Sequence, residues 1–126
     1  MAKTKYRSGF ERLVAQSLKQ RKAKVVYEPK KIPFTQPEKT RTYTPDWLFV
    51  DTGIYVETKG RLTKADRDKL VWVKNQHPDL QIVILFQDAE VPIRRGSKTT
   101  FGDWATKNGF EWADFDAGIP RRWYKA

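Results

Sequence analysis

Residues 43–60 read YTPDWLFVDTGIYVETKG, two short apolar runs around a turn, with Asp46 at the head of the first and Glu57 and Lys59 at the end of the second. The runs DWLFV and IYVETK, joined by Asp51, Thr52 and Gly53, predict a β-hairpin whose three-residue loop places glycine where a positive φ is wanted. Strand residues two apart share a face and lie about 6.7 Å apart, so Glu57 and Lys59 point one way and Thr58 the other. Asp46 lies at the hairpin end away from the turn, where cross-strand neighbours bring its carboxylate toward Glu57. Two carboxylates about 4 Å apart repel by roughly 4 kcal/mol at an effective dielectric of about 20, so a half-buried pair needs a shared proton or a cation between them. Oxygen-only ligands suit magnesium or manganese. On spacing alone, the same residues also fit a solvent-facing hairpin edge on which Lys59 pairs with Glu57. The basic surroundings favour chemistry, and so does Gly60, where a backbone can approach a phosphate closely.

Working outward, Ser8 and Glu11 have capping-box spacing, and Phe10, Leu13, Val14 and Leu18 recur at helical intervals, which predicts a helix from about Gly9 to Arg21. A short strand follows at 24–28. Pro33, Pro37 and Pro45 then forbid helix over about 30–45, which is expected to run as an extended bridge between the amino-terminal helix and strand and the remainder. Thr63 with Asp66 caps a second helix that ends near His77, because Pro78 follows; His77 is read as stabilising the last carbonyls. LQIVILF (80–86) is a strand covered on both faces. Thr100 with Asp103 opens a short helix that Asn108-Gly109 ends. The order predicts one α/β domain over 1–126, a mixed sheet with helices on its faces. The first residues, MAKTKYR, are expected to be loose.

The chain has 126 residues, the length of a single compact domain, and carries 25 Lys plus Arg against 15 Asp plus Glu, a net charge of +10. That balance favours a polyanion, nucleic acid first. No apolar stretch long enough to span a membrane and no signal pattern occurs, so no membrane partner is expected and the chain reads as intracellular. With no cysteine, thiolate zinc sites are excluded.

Pro45-Asp46 and Glu57-Thr58-Lys59 fit the signature of the restriction-endonuclease-like nucleases. RSGFE at 7–11, YTPDW at 43–47, VETKG at 56–60, QHPDL at 76–80 and FGDW at 101–104, in that order, make the chain resemble the endonuclease I family of T-seven-type bacteriophages, Holliday-junction resolvases. The resemblance implies a restriction-endonuclease-like fold in a domain-swapped homodimer and a cytoplasmic, phage- or prophage-encoded enzyme. It also implies a magnesium-dependent endonuclease that cuts branched DNA by paired nicks. Two Mg2+ ions are expected per active site, with Mn2+ able to substitute. By the same resemblance the catalytic residues fall on Glu11, Asp46, Glu57 and Lys59, and the metal ligands on Asp46, Glu57 and Glu11, with Glu11 contributed across the dimer. Read without it, Glu11 is a capping residue. The family's basic amino-terminal extension and lysine-rich tail are not matched, which bears on junction affinity rather than hydrolysis. Two other readings remain: a mismatch- or transposon-end-nicking endonuclease of the same superfamily, and a non-catalytic basic DNA-binding protein.

Lys59 as a general base would need its pKa moved from about 10.4 to near 7, roughly 4 to 5 kcal/mol against two neighbouring carboxylates. It is therefore expected to stay charged and to offset charge in the transition state. Lys19, Arg21, Lys22, Lys24, Lys30 and Lys31 form one candidate DNA-binding stretch, Arg94, Arg95 and Lys98 a second, and Arg121, Arg122 and Lys125 lie near the end. With no base-reading helix, recognition of backbone and branch shape is expected. If about six phosphates are contacted, log affinity for DNA falls with log salt at a slope near −5. A slope near zero in a salt titration of binding would remove this electrostatic footprint.

Overall fold

In the computed structural model, which describes residues 5–36 and 39–126, a five-stranded mixed sheet separates two apolar layers. Helix α1 (Gly9–Gln20) is followed by β1 (Val25–Tyr27), β2 (Ile32–Gln36), β3 (Lys39–Tyr43), β4 (Trp47–Phe49) and β5 (Ile54–Lys59). Helix α2 (Lys64–Gln76), β6 (Ile82–Phe86), α3 (Phe101–Lys107) and β7 (Glu111–Asp114) come next, then a 3₁₀ turn (Phe115–Ala117) and a short α4 (Arg121–Tyr124). The strand order is β1-β4-β5-β6-β7, antiparallel as far as β5 and parallel from β5 to β7.

The hairpin forms as its pattern dictates. Trp47 stands opposite Val56 and Phe49 opposite Ile54. The connecting loop is four residues, Val50 to Gly53, one more than expected, and Gly53 takes the positive φ of 76°. Period-two alternation then sorts side chains between the layers. Trp47, Phe49, Ile54, Val56, Val83 and Leu85 meet Phe10, Val14 and Leu18 of α1. Tyr55, Ile82, Ile84 and Phe86 face the other way, onto Leu70 and Val73 of α2 and Phe101 of α3. β6 is buried at every position, as its continuous apolar run requires.

Over 30–45 the chain is extended but does not run as one arm. β2 and β3 pair antiparallel with Ile32 opposite Tyr43, making a ribbon that lies on α2. Ile32, Phe34 and Tyr43 supply its buried face, and Gln76 donates to the Thr35 carbonyl at 2.7 Å. His77 does cap its helix, its backbone amide donating to the Val73 carbonyl at 2.8 Å, and its ring also bonds the Pro33 carbonyl and so ties the ribbon down. Pro37 lies outside the described residues, as do the first four residues of the segment expected to be loose. Tyr6 of that segment is packed, 4.8 Å from the Tyr27 ring and 5.6 Å from Trp47. Among the described residues no helix is long and apolar enough to cross a membrane.

Gly102, in the FGDW segment, shows how tightly the α2–α3 layer is fitted. A Cβ there would stand 2.7 Å from the Trp112 ring, and that ring is held by a bond from its Nε1 to Thr106 Oγ1 at 2.8 Å. Gly102→Ala is therefore expected to destabilise the fold by about 1–3 kcal/mol despite the better helix propensity of alanine. Chemical denaturation reads this directly, and an unchanged midpoint would show that Trp112 gives way freely.

Candidate active site

The acids converge where β5 ends and β4 begins. Asp46 directly follows Pro45, and its carbonyl accepts from the Glu28 amide at 2.8 Å, tying the head of β4 to the end of β1. Its Oδ2 accepts from both the Thr58 amide and the Thr58 hydroxyl, each at 2.8 Å. Thr58, which alternation turns away from Glu57, is thus what orients Asp46. Glu57 is buried on the α2 side, where the Tyr43 hydroxyl of the ribbon donates to its Oε1 at 3.3 Å. Lys59 Nζ stands 3.5 Å from Glu57 Oε2 and 3.3 Å from Asp66 Oδ1. Asp66 has two jobs: its Oδ2 closes the capping box of α2 with the Thr63 amide while its Oδ1 holds Lys59.

Glu11 arrives from the opposite layer. Its amide donates to Ser8 Oγ at 3.1 Å, the first half of a capping box, but its side chain does not complete the box. Its Oε1 accepts instead from Tyr27 Oη at 2.7 Å and from the Arg7 amide at 2.9 Å. Tyr27 is itself wedged between Tyr6 and Trp47, so an aromatic cluster sets where Glu11 points. From there its carboxyl acts on Asp46, adding a small upward push to the Asp46 carboxyl. Within one chain, then, Glu11, Asp46, Glu57 and Lys59 already lie together.

Burial dominates the electrostatics. Asp46, Glu57 and Glu11 are each only 6–8% exposed. Desolvation, then repulsion from Glu57, pushes the Asp46 carboxyl up to about 9, against the two bonds from Thr58. Burial also raises Glu57, opposed by the charge and hydrogen bond of Lys59. For Lys59 burial acts downward, but Glu57 and Asp66 outweigh it and its ammonium is held above the usual lysine value. Asp66 is half-buried, yet Lys59 and the Thr63 bonds draw it below the ordinary carboxylate range. Of the buried pair the Asp46 carboxyl is pushed up to about 9, and Lys59 is held as a cation, as the sequence leads one to expect for Lys59.

Among the described residues no group of three or more acids or histidines is closed up as a ready-made metal cage. The reason lies in the partners just named: Thr58 occupies one Asp46 oxygen, Tyr43 and Lys59 face Glu57, and Tyr27 engages Glu11. The chemistry of the donors still suits a hard cation, since all are oxygens and the proton forced onto Asp46 marks a deficit of positive charge.

The basic residues separate into different places. Lys19, Arg21, Lys22 and Lys24 are exposed around the far end of α1, with Lys19 two turns beyond Glu11, about 12 Å along the axis. Arg94, Arg95 and Lys98 are exposed on the loop after β6. That loop starts beside Lys59, where the Gln87 amide donates to the Lys59 carbonyl at 3.0 Å, and Arg67 binds both the Leu62 and Ile93 carbonyls across it. This second group therefore sits on a loop that leaves the sheet at the same end as Lys59. Lys30 and Lys31 are exposed at the foot of the ribbon, with Lys30 Nζ 5.5 Å above the Tyr55 ring.

The sequence model described as Phage endonuclease I matches residues 1–126. Over 120 residues, 95% of this chain and 78% of the relative, the sequence is 39% identical to endonuclease I of Escherichia phage T7. Over 109 residues, 86% of this chain and 71% of the relative, it is 38% identical to endodeoxyribonuclease 1 of Enterobacteria phage T3. The protein is a nuclease, a phosphodiester hydrolase. More narrowly, the chain belongs to the phage endonuclease I family.

The raised Asp46 carboxyl has a stability consequence. A proton bound in the folded state up to about pH 9, but released by the unfolded chain near pH 4, makes stability fall as pH rises between those values. In metal-free protein, Asp46→Asn is expected to flatten that fall and to raise Tm by several degrees at pH 8. Calorimetry from pH 5 to pH 9 in chelator reads both slopes. Parallel curves for the two proteins would show that Asp46 is not strained by its burial.

Proposed function

We propose that this chain is a magnesium-dependent, structure-selective DNA endonuclease that resolves four-way junctions and other branched DNA by paired nicks. The observation that carries the reading is the buried Asp46–Glu57 pair with a protonated Lys59 at the end of β5, inside a chain of the phage endonuclease I family. The T3 relative is named an endodeoxyribonuclease, which favours DNA, and the net charge of +10 fits such a partner.

Asp46 and Glu57, with Glu11 beside them, are the residues that would hold the cation, and their small number suits an ion that completes its shell with water and substrate phosphate. Magnesium, when bound, supplies positive charge at the scissile phosphate and makes a water a better nucleophile at neutral pH. Thr58 and Tyr43 keep the Asp46 and Glu57 oxygens aimed inward. Lys59, fixed between Glu57 and Asp66, donates toward the phosphate oxygens as charge grows on them and does not serve as the base. Water adds to phosphorus, the bond to the 3′ oxygen breaks, and a 5′ phosphate and a 3′ hydroxyl remain.

Paired nicks need two such sites, and a homodimer provides them. We favour one in which α1 and β1 exchange between copies, because the Glu11–Tyr27 and Glu28–Asp46 contacts made within one chain can be made equally between two. Such an enzyme would act in the cytoplasm of a bacterial host.

Incubating the protein and Glu57→Ala with a four-way junction and with a linear duplex of the same sequences, in magnesium, tests the reading. The expected result is symmetric nicking of the junction, survival of the duplex, and a loss in Glu57→Ala greater than the roughly 10–100-fold typical of removing an outer-shell partner. Cleavage by both proteins, or by neither, would contradict the assignment.

A further inference from the structure

Between the β2–β3 ribbon and α2 lies a cavity of about 530 Å³, to which the hydrolytic chemistry above gives no role. Phe34 and Trp72 form its aromatic wall, their rings within 20° of parallel and 6.4 Å apart. Phe34 is buried and backs Trp72, which is half-buried and is the ring open to a ligand. Arg41 and Lys69 bring positive charge, and Gln36 and Thr42 bring hydrogen-bonding groups. Asp68 also faces the space, but Lys64 holds its carboxylate at 2.8 Å. The ribbon side is fixed by paired bonds between the Gln76 amide and the Thr35 backbone, so the cavity is held open by construction.

One side chain separates this cavity from the acids. Lys69 Nζ lies 5.7 Å from the centroid of the Tyr43 ring, whose hydroxyl donates to Glu57, and the Lys69 charge acts on Glu57 itself. A DNA strand with its scissile phosphate at Asp46 and Glu57 would therefore bring a neighbouring nucleotide to the cavity mouth. Resting on the reading above that the substrate is branched DNA, we infer that this cavity takes one unpaired nucleotide beside the scissile phosphate, its base stacked on Trp72 and its phosphate drawn by Lys69 and Arg41.

The physical case is one of fit and of selectivity. The volume lies within the range of small-ligand sites. Stacking on an aromatic ring accepts any base, which suits an enzyme without a base-reading element. Filling the cavity requires a nucleotide out of its stack, which costs least where pairing is already interrupted. At a branch point continuous stacking is broken, so a nucleotide leaves its helix there at less cost than within a continuous duplex, and the cavity ties selectivity for branches to a named side chain.

Binding in chelator, where no cutting occurs, tests this with a fluorescent four-way junction whose cut position has been mapped with the wild-type protein. The same junction carrying an abasic site next to the cut is the second probe, and a linear duplex the third. Trp72→Leu is expected to weaken binding to the intact junction roughly 5- to 150-fold, and the abasic site to weaken the wild type similarly. Combining the two changes should cost no more than either alone. Trp72→Phe should restore most of the affinity, and duplex binding should not change. The inference is overturned if folded Trp72→Leu binds the junction as the wild type does, if the abasic site is without effect, or if the two losses multiply. Should Trp72→Leu not fold, Arg41→Glu, at an exposed position, is expected to weaken the junction more than the duplex, and an equal loss on both overturns the inference. A wild-type protein with no preference for the junction would remove the substrate reading and this inference together, a result distinct from all of these.

Discussion

Asp46 and Glu57 are held against each other out of water at the end of β5, and much of the surrounding structure answers the repulsion that follows. Thr58 spends its amide and its hydroxyl on Asp46, Tyr43 donates to Glu57, and Lys59 is set between Glu57 and Asp66. Even so burial and the Glu57 charge push the Asp46 carboxyl up to about 9. Folding keeps this pair because the sheet leaves it little choice: the antiparallel register of β4 and β5 places the two residues side by side, and apolar layers close over both faces. A site built in this way is short of positive charge until a cation and a phosphodiester arrive, which is how a strained ground state becomes a binding device.

The mixed topology explains why the chemistry sits where it does. β5 is antiparallel to β4 and parallel to β6, so its carboxyl end meets the head of β4, the turn leading to α2 and the loop leaving β6. Three short segments then contribute one or two side chains each: Asp46, Glu57 with Lys59, and Asp66. α1 brings Glu11 from below, and the ribbon brings Tyr43 from above. The nearest cations of the second basic group share this end of the sheet, whereas those at the far end of α1 do not, so the two groups cannot contact the same stretch of a bound strand in the same way.

Much of this was legible in the chain. Alternation in 43–60 yields the hairpin, the shared face of Glu57 and Lys59, and the approach of Asp46, because period two is a strong signal when glycine marks the turn. Glu11 was not legible from its own neighbourhood, since Ser8 accounts for its position and nothing local shows that Tyr27 will turn the carboxylate inward; only the family resemblance reached it. Asp66 was read as a cap and is one, but a capping box uses one oxygen and leaves the other free. Tyr27, Tyr43 and Thr58 escaped because a buried tyrosine or a β-branched strand residue looks like packing until its hydroxyl has a partner. The ribbon was half read: prolines announce extended chain, but Lys39–Tyr43 has too little apolar alternation to announce a strand pair. The last elements, β7 and α4, are short and polar at several positions, and their packing against the sheet decides them more than their own pattern does.

A nuclear magnetic resonance titration of side-chain carboxyls, with Asp46 assigned in metal-free protein, addresses the buried pair without relying on cleavage. The account predicts that Asp46 keeps its proton through neutral pH and titrates near 9, and that adding magnesium releases it. Ionisation of Asp46 near pH 4, unmoved by magnesium, would show that the two acids are not forced together, and the explanation of the site offered here would fail.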